Sequence, residues 1–202
     1  MARIGRMHSP DIKLSSSTSI ARYQRLEATK DKEKLAAFLR ERFTERYVIP
    51  IEAAGSEKHG FCTMAICCLM VEALESFKNG WASSKGKSKK AFEKFFQRVP
   101  ELKVFSDAID FWESVRCGIL HLGETKGVWR VRRNGPLFDP ETKTINATEF
   151  HKLMKSVLKR DCDELQDAAW ESEVWNNFRK RMRAVCGPTE GDQNLEDGDS
   201  MP

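Results

Sequence analysis

Residues 107–123 read Asp-Ala-Ile-Asp-Phe-Trp-Glu-Ser-Val-Arg-Cys-Gly-Ile-Leu-His-Leu-Gly. Their apolar residues follow the i, i+3, i+4 spacing of a helix with one buried face, at Ile109, Trp112, Val115, Ile119 and Leu122. Ser106 is a candidate N-cap and Gly123 a candidate C-terminal stop. Near the end of this apolar helix stand two polar side chains, Arg116 and His121. A guanidinium beside a buried stripe stays charged, so it requires a partner.

The rest of the chain predicts an all-α helical bundle. Residues 61–78 are apolar on nearly all sides, which is typical of a central helix surrounded by protein, and Glu72 and Glu75 interrupt the far end. Narrower apolar stripes predict a charged helix over 27–47 and a short helix over 91–99. Asn146 or Thr148 is expected to cap a long amphipathic helix, and the aromatic residues beyond 170 continue it or form another.

A small β excursion is expected after the helix of residues 107–123. Residues 128–133 alternate apolar and basic side chains, and Asn134-Gly135 is a hairpin turn signal. Pro136 follows the turn directly and weakens the returning strand, because proline has no N–H to donate. The pattern therefore predicts a small or irregular β-hairpin inserted in a helical domain.

Charge is unevenly distributed along the 202 residues, whose net charge is +4. Residues 1–26 carry five basic groups and one acidic group, are rich in serine and lack periodicity, so they are expected to form a flexible basic arm. Residues 187–202 carry five acidic groups and no basic group, which predicts a disordered acidic tail. The helical domain is expected to span 27–186, and its mildly basic balance is compatible with nucleic acid.

Cysteine usage and hydropathy predict a cytoplasmic protein without a membrane partner. The longest apolar run, 61–71, is short for a bilayer span, and no apolar stretch follows the N-terminal arginines. None of the six cysteines forms Cys-x-x-Cys, which favours reduced, buried thiols. A zinc site could be formed by His59, Cys62, Cys67 and Cys68, but cysteines in an apolar helix more often pack in a core.

Arg116-Cys-Gly-Ile-Leu-His121 has the form Arg-x4-His, and it follows an apolar helix that carries the polar residue Glu72. This arrangement resembles the HEPN superfamily of all-helical domains, over about residues 60–150. The resemblance implies a metal-independent ribonuclease without a cofactor, in which Arg116 and His121 are catalytic and Glu72 supports them. It also implies a homodimer, an RNA substrate, a possible regulatory protein partner and a role as a toxin or defence effector. Cys117 stands where family members often carry Asn or another polar residue.

The chemistry of the two side chains fits cleavage of RNA by its own 2′-hydroxyl. One group must move the hydroxyl proton, and histidine titrates near neutrality. Another group must stabilise charge on the phosphate, and arginine presents a planar fork that matches phosphate oxygens. The alternative is structural: Arg116 pairs with Glu72, Glu75 or Glu113, His121 caps the helix, and the domain is a non-catalytic module that binds RNA or a protein.

The spacing of the pair predicts a composite site. Five residues on a regular helix correspond to about 140° of rotation and roughly 7.5 Å of rise, so the two side chains do not stack on one face. Either Arg116 reaches along the axis, another helix comes close at Gly118, or the last turn loosens before Gly123. A composite site explains the spacing best, since one copy would present an incomplete site. A two-fold dimer would bring two copies of Arg116 and His121 around one cleft. Gly118 is the expected point of close helix crossing, with Leu120 and Leu122 as candidate contacts.

Basic residues interleaved with an aromatic residue follow the motif and predict an RNA-binding segment, made of Lys126, Trp129, Arg130, Arg132 and Arg133. In this interpretation the charges contact phosphates and the indole stacks on a base. The alternative is a half-buried hairpin with Trp129 or Val131 turned inward and a solvated basic face. The alternation of residue types does not distinguish the two.

Overall fold

The computed structural model describes residues 9–55, 59–105 and 107–187. The fold is mainly helical with a small sheet, as predicted. In chain order the elements are α1 (Ile20–Ala28), α2 (Lys32–Phe43), a π-helical turn (Thr44–Val48), α3 (Ile49–Glu52), α4 (Gly60–Lys78), α5 (Ser88–Arg98), a 3-10 turn (Pro100–Val104), α6 (Ala108–Phe111), a π-helical turn (Trp112–Arg116), α7 (Cys117–Leu122), β1 (Arg130–Arg132), β2 (Phe138–Asp139), β3 (Thr144–Asn146), α8 (Ala147–Asp167) and α9 (Glu173–Cys186).

Helix α4 is the centre of the bundle and packs against α5, α8 and α9. Met64, Cys67 and Val71 on it are fully buried, which confirms the prediction of a central helix. By length and mean hydropathy α4 could also cross a membrane, but 61% of its apolar window is buried inside the protein. Since apolar neighbours surround most of this helix, its polar residues must find partners within the bundle.

The helix predicted over 107–123 is continuous from 108 to 122 and is called the motif helix below. Asp107 caps it by accepting hydrogen bonds from the backbone N–H groups of residues 109 and 110, whereas Ser106 lies outside the described residues. Gly123 ends it with φ +74°, in the left-handed region that glycine adopts without strain, as predicted.

The motif helix contains a π-helical turn, in which the N–H of Cys117 bonds to the carbonyl of Trp112. Phe111, Val115 and Ile119 form the buried face, at a regular spacing of four. The prediction that Leu122 is buried was wrong, because this side chain is 64% exposed. A π-helical turn fits an extra residue into the helix, so the buried face shifts from the positions that a regular helix predicts.

The strands do not form the predicted hairpin. Strand β3 lies between the other two, paired in parallel with β1 and antiparallel with β2. All three residues of β3 are buried, Ile145 fully, so the most buried strand takes the central position. Asn146, one of the two predicted caps, caps α8 by accepting from the N–H groups of Thr148 and Glu149. It also donates from Nδ2 to the Gly135 carbonyl at 2.5 Å.

The prediction of a flexible arm was wrong for residues 9–26. Leu14, Ile20 and Tyr23 are buried, and α1 begins at Ile20. The serine-rich turn is held by α2, because Ser15 Oγ donates to Glu41 Oε2 at 2.7 Å. The helix predicted over 27–47 is likewise divided, since α1 ends at Ala28 and α2 begins at Lys32. Residues 1–8 and the acidic tail from 188 onward lie outside the described residues.

Gly118 contacts the loop that follows its own helix. A Cβ at Gly118 would lie 2.5 Å from the carbonyl oxygen of Glu124 and 3.2 Å from Cα of Thr125. The loop is fixed there because the N–H of Lys126 donates to the Ser114 carbonyl at 2.8 Å. The predicted role of Gly118 as the crossing point of two copies is therefore wrong: the space beside it is filled by the same chain.

We expect Gly118→Ala to lower the free energy of unfolding by about 1–3 kcal/mol, because the new methyl group meets backbone that cannot move without strain. Without that clash, alanine inside a helix would raise the free energy of unfolding by about 1 kcal/mol over glycine. The sign of the change therefore shows whether the close contact exists. Urea denaturation measures the effect. Glu113→Ala, at an exposed position of the same helix, serves as control and should stay within about 0.5 kcal/mol. A Gly118→Ala protein as stable as the wild type would contradict the close contact.

Candidate functional site

Arg116 and His121 contact each other within one copy of the chain. Arg116 Nη1 lies 3.2 Å from His121 Nε2. The rotation of about 140° between the two positions is real for the backbone, but the long arginine side chain reaches along the helix axis and closes the gap. The reach of Arg116 along the axis, one of the three predicted ways to bring the side chains together, is confirmed. The geometric reason for a composite site, that one copy holds the two side chains apart, was wrong. His121 is exposed, whereas the Arg116 side chain is only 15% exposed, so the histidine is the accessible partner.

The contact with Arg116 is compatible with only one tautomer of the neutral His121 ring. A guanidinium has no acceptor, so Arg116 can only donate to the histidine ring. Nε2 must then carry a lone pair, and the proton of the neutral ring stands on Nδ1. The arginine occupies that lone pair in this contact, so Nε2 can accept a proton only when the contact opens.

Glu72 of α4 fixes the arginine from the other side. Its Oε1 accepts from Arg116 Nε at 2.8 Å and lies 2.7 Å from Arg116 Nη2. Burial by itself lowers the pKa of Arg116, but the charge and hydrogen bonds of Glu72 act in the opposite direction and raise the pKa above its ordinary value. The pair therefore keeps a charged guanidinium at the edge of the core, next to the exposed His121. This is the contact expected from the motif and the earlier helix.

Two further residues complete the site, and sequence reasoning missed both. Ser88, the first residue of α5, donates from Oγ to Glu72 Oε1 at 2.8 Å. Trp112 Nε1 donates to Ser88 Oγ at 2.9 Å. The result is a continuous chain of contacts from the Trp112 indole through Ser88, Glu72 and Arg116 to His121. Ser88 is part of Gly86-Lys87-Ser88, which lacks the preceding strand and glycine of a phosphate-binding loop, and nothing in its local pattern signals a partner on α4.

Cys117 is half-buried, and its Sγ lies 3.9 Å from Arg116 Nη1. Sulfur is a weak acceptor, so this contact adds little to the position of the guanidinium. Cys68 of α4 is fully buried nearby, and burial raises the pKa of its thiol, so it remains protonated and packs as an apolar residue. The residue that follows Arg116 thus provides neither a strong donor nor a strong acceptor.

Trp129 is part of the core and not of an RNA-binding surface. Its side chain is 6% exposed, its ring stacks on Phe138, and Nε1 donates to Asp110 Oδ1 at 3.1 Å. A ring buried in this way cannot stack on a base without unpacking the core. The predicted RNA contact of Trp129 is therefore wrong, and the alternative, an indole turned inward, is confirmed.

The basic residues around Trp129 are distributed over the surface. Lys126, Arg130 and Arg132 are exposed, and Arg133 is half-buried, with Nη2 donating to the Gly55 carbonyl at 3.2 Å. Their charges are available to solvent or to local partners. Whether they contact RNA stays a prediction.

The loop of residues 124–129 and the side chain of Arg116 lie on different faces of the motif helix. Asp110, Ser114 and Gly118 face the loop. Trp112 and Arg116 face Ser88 and Glu72. Each lies two positions from a residue that faces the loop, which on a helix corresponds to a rotation of roughly 200°. The structure thus brings Glu72 to the pair but leaves the loop and Trp129 on the other face.

Strand β1 lies near the opposite end of α4 from the Arg116 contact. A Cβ at Gly60, the first residue of α4, would lie 3.3 Å from Val131 Cγ1. Glu72 comes twelve residues later on the same helix, which corresponds to about 18 Å along its axis. The arginines of β1 are therefore distant from the residue that holds Arg116.

In the described part of the chain, no three His, Cys, Asp or Glu side chains come together in a group that could hold a metal ion. Cys67 and Cys68, two candidates for a zinc site, are fully buried in the core. Their surroundings are those of packing thiols.

Comparison with protein-family models, with curated proteins and with solved structures finds no match for this chain. The residue types, distances and charges of the site itself are what indicate its chemistry.

We expect Glu72→Met to destabilise the protein by about 3–5 kcal/mol, because it leaves the Arg116 charge without its carboxylate in a largely buried position. The double variant Glu72→Met, Arg116→Met should recover most of this loss, since replacing both partners of a buried pair with apolar residues is often close to neutral. Chemical denaturation of the two single variants and the double variant gives the coupling. Additive losses would show that the two side chains are energetically independent.

Proposed function

We propose that this chain is a HEPN-type domain and acts as a metal-independent endoribonuclease. The observation that carries the proposal is the contact of an anchored, permanently charged Arg116 with an exposed His121. The mainly helical fold and the Glu72 partner on the preceding apolar helix are consistent with the family resemblance. Since the family assignment rests on the Arg-x4-His pattern and its setting, the chemistry of the pair is the point to test.

In the proposed reaction His121 acts as the general base. When Arg116 turns from Nε2 toward the phosphate, the lone pair of Nε2 becomes available and takes the proton of the 2′-hydroxyl. The 2′-oxygen then attacks the adjacent phosphorus. The bond from phosphorus to the 5′-oxygen breaks, and the leaving oxygen takes a proton from water or from a second, protonated histidine. Arg116 stabilises the charge on the non-bridging oxygens with the N–H groups that Glu72 does not engage, including those of Nη1 released from His121. The products carry a 2′,3′-cyclic phosphate and a 5′-hydroxyl.

The proposed working unit is a homodimer. Exposed apolar residues flank the pair: Leu69, 47% exposed, lies one turn before Glu72 on α4, and Leu122, 64% exposed, follows His121 directly. A two-fold contact through these residues would set two His121 side chains near one cleft, so that one could act as base and the other as acid. Such an enzyme would act on RNA in the cytoplasm as a toxin or defence effector, under the control of a regulatory protein.

Purified protein should cut a single-stranded RNA in the presence of EDTA and leave 2′,3′-cyclic phosphate or 3′-phosphate ends. His121→Ala should slow cleavage by about 10²–10⁴-fold, the range for loss of a general acid or base. Arg116→Lys should slow it by about 10²–10³-fold, because a point charge does not replace the planar fork. Mass spectrometry of the product ends and single-turnover rates measure these effects.

Glu113→Ala is the matched control, as an exposed residue of the same helix without a contact to the pair, and it should cut at the wild-type rate. Circular dichroism must show that each variant is folded. Products with 3′-hydroxyl ends, or full activity of His121→Ala, would refute the assignment.

Leu69→Asp with Leu122→Asp should convert the dimer to a monomer and reduce cleavage by a factor of ten or more, roughly the effect of one or two lost anchor contacts. Sedimentation at micromolar concentration measures the oligomeric state. Val104→Asp removes a comparably exposed apolar residue from the 3-10 turn and should change neither property. A monomeric wild-type protein that cuts RNA would contradict the dimer.

The second candidate function is a non-catalytic HEPN-like module that binds RNA or a protein. Two observations favour it: Cys117 replaces the polar residue common in the family, and Glu72 engages Arg116 through two nitrogens, as in a structural ion pair. Such a module would bind without cutting and would be harmless on expression. An active ribonuclease should slow the growth of its host, and His121→Ala should relieve that effect.

A further inference from the structure

The loop of residues 79–87, between α4 and α5, leads directly to the Arg116–Glu72 pair. It leaves the end of α4, and the chain returns to α4 through the Ser88–Glu72 hydrogen bond of 2.8 Å. Ser88 Oγ and Arg116 Nε thus contact the same carboxylate oxygen. The first residue of α5 and the guanidinium are therefore held on one carboxylate.

Four lysines stand in this segment: Lys85, Lys87, Lys89 and Lys90. All four are exposed, and in the ranges that the structure describes none of them forms an ion pair. Lys89 and Lys90 lie in the first turn of α5, which contains no acidic residue. Positive charges are unfavourable at the N-terminal end of a helix, so Lys89 and Lys90 lower the stability of α5. Their presence there suggests that they bind an anionic partner.

Two half-exposed indoles lie among these charges. Lys87 Nζ stands 5.4 Å from the centroid of the Trp81 ring, and Lys89 Nζ stands 5.8 Å from that of Trp112. Each ammonium can move from the ring to a nearby phosphate, which leaves the ring face to a base. Phosphate-binding cations next to aromatic faces are the features that bind single-stranded nucleic acid without sequence preference.

We infer that the RNA strand reaches Arg116 and His121 across a basic surface formed by Trp81, Lys85, Lys87, Lys89, Lys90 and Trp112, and not across β1. This inference rests on the proposed function and names the path of its substrate. The contacts explain the choice: Trp112 and Ser88 belong to the same chain of hydrogen bonds as Arg116, whereas β1 packs beside the first residue of α4 and the indole next to it, Trp129, is buried.

The test compares two charge reversals of equal size. Lys87→Glu with Lys89→Glu alters the proposed path, and Arg130→Glu with Arg132→Glu alters β1. Both change the net charge of the protein equally, so a general electrostatic effect would appear in both. The probe is a single-stranded 2′-O-methyl RNA, which has no free 2′-hydroxyl to attack, and Kd is measured by anisotropy over a range of salt concentrations.

We expect the lysine variant to lose at least ten-fold in affinity and its salt slope, d log K/d log[salt], to become shallower by about 1.4, since each lost phosphate contact on a single strand contributes about 0.7. The arginine variant should bind like the wild type. Trp81→Ala should weaken binding by roughly ten-fold through lost stacking. Trp170→Ala, which removes another half-exposed indole beneath an arginine, is its control and should have no effect.

The inference is overturned by equal losses in both charge variants, by a loss confined to the arginine variant, by no loss in either or by a wild type that does not bind the probe. Failure of the proposed catalysis is distinguishable: the lysines would still control binding, while unmodified RNA of the same sequence would remain uncut. A lysine variant that unfolds at wild-type urea concentrations excludes a general loss of structure. Smaller single changes, Lys87→Ala and Lys89→Ala, should each give an intermediate salt slope.

Discussion

A buried carboxylate on an apolar helix needs a cation, and this requirement organises the structure around α4. Glu72 forms an ion pair with Arg116 of the motif helix. Glu75, three residues further along α4, forms one with Arg98 of α5 at 2.6 Å. Arg98 also bonds Asp161 of α8 through both terminal nitrogens. Apolar packing is non-directional, so these charged contacts provide the directional information. They set the rotation of α4 relative to three of its neighbours.

The same requirement explains the position of Arg116 and His121. Glu72 determines the position of the guanidinium, and the guanidinium then determines which nitrogen of His121 faces it. Arg116 therefore has a structural role whether or not it is catalytic. The structural and catalytic interpretations of this residue are not exclusive, because a charge that acts on a phosphate must first be held in place without one.

Much of the helical framework could be predicted from the sequence, because hydrophobic periodicity and capping residues act locally. The central helix, the stop at Gly123 and the cap at Asn146 follow from a few neighbouring residues each. The need of Arg116 for a carboxylate also followed from the sequence, but the residues left Glu72, Glu75 and Glu113 open, and only the family resemblance singled out Glu72. What could not be predicted depends on distant parts of the chain.

Three failures show this dependence. Alternating residues in β1 predict a strand but do not identify its partner, and β3 took the place expected for the returning strand. The indole of Trp129 could face either way until Phe105, Phe111 and Phe138 enclosed it. The regular-helix rotation separated Arg116 from His121 because it treats side chains as fixed points, whereas the arginine spans more than a helical turn.

The position of α8 in the chain has a consequence for synthesis on the ribosome. Helix α4, the most apolar element, packs closely against α8, whose first residue comes 69 residues after the last residue of α4. A nascent chain that ends before residue 147 contains α4 without this cover. The apolar face of α4 is then exposed while the intervening residues are translated, at a rate on the order of 5–20 residues per second, which is several seconds. During that interval the chain exposes an apolar surface of the kind that chaperones bind. The duration of this exposure is set by the order of the helices in the chain and not by the stability of the folded protein.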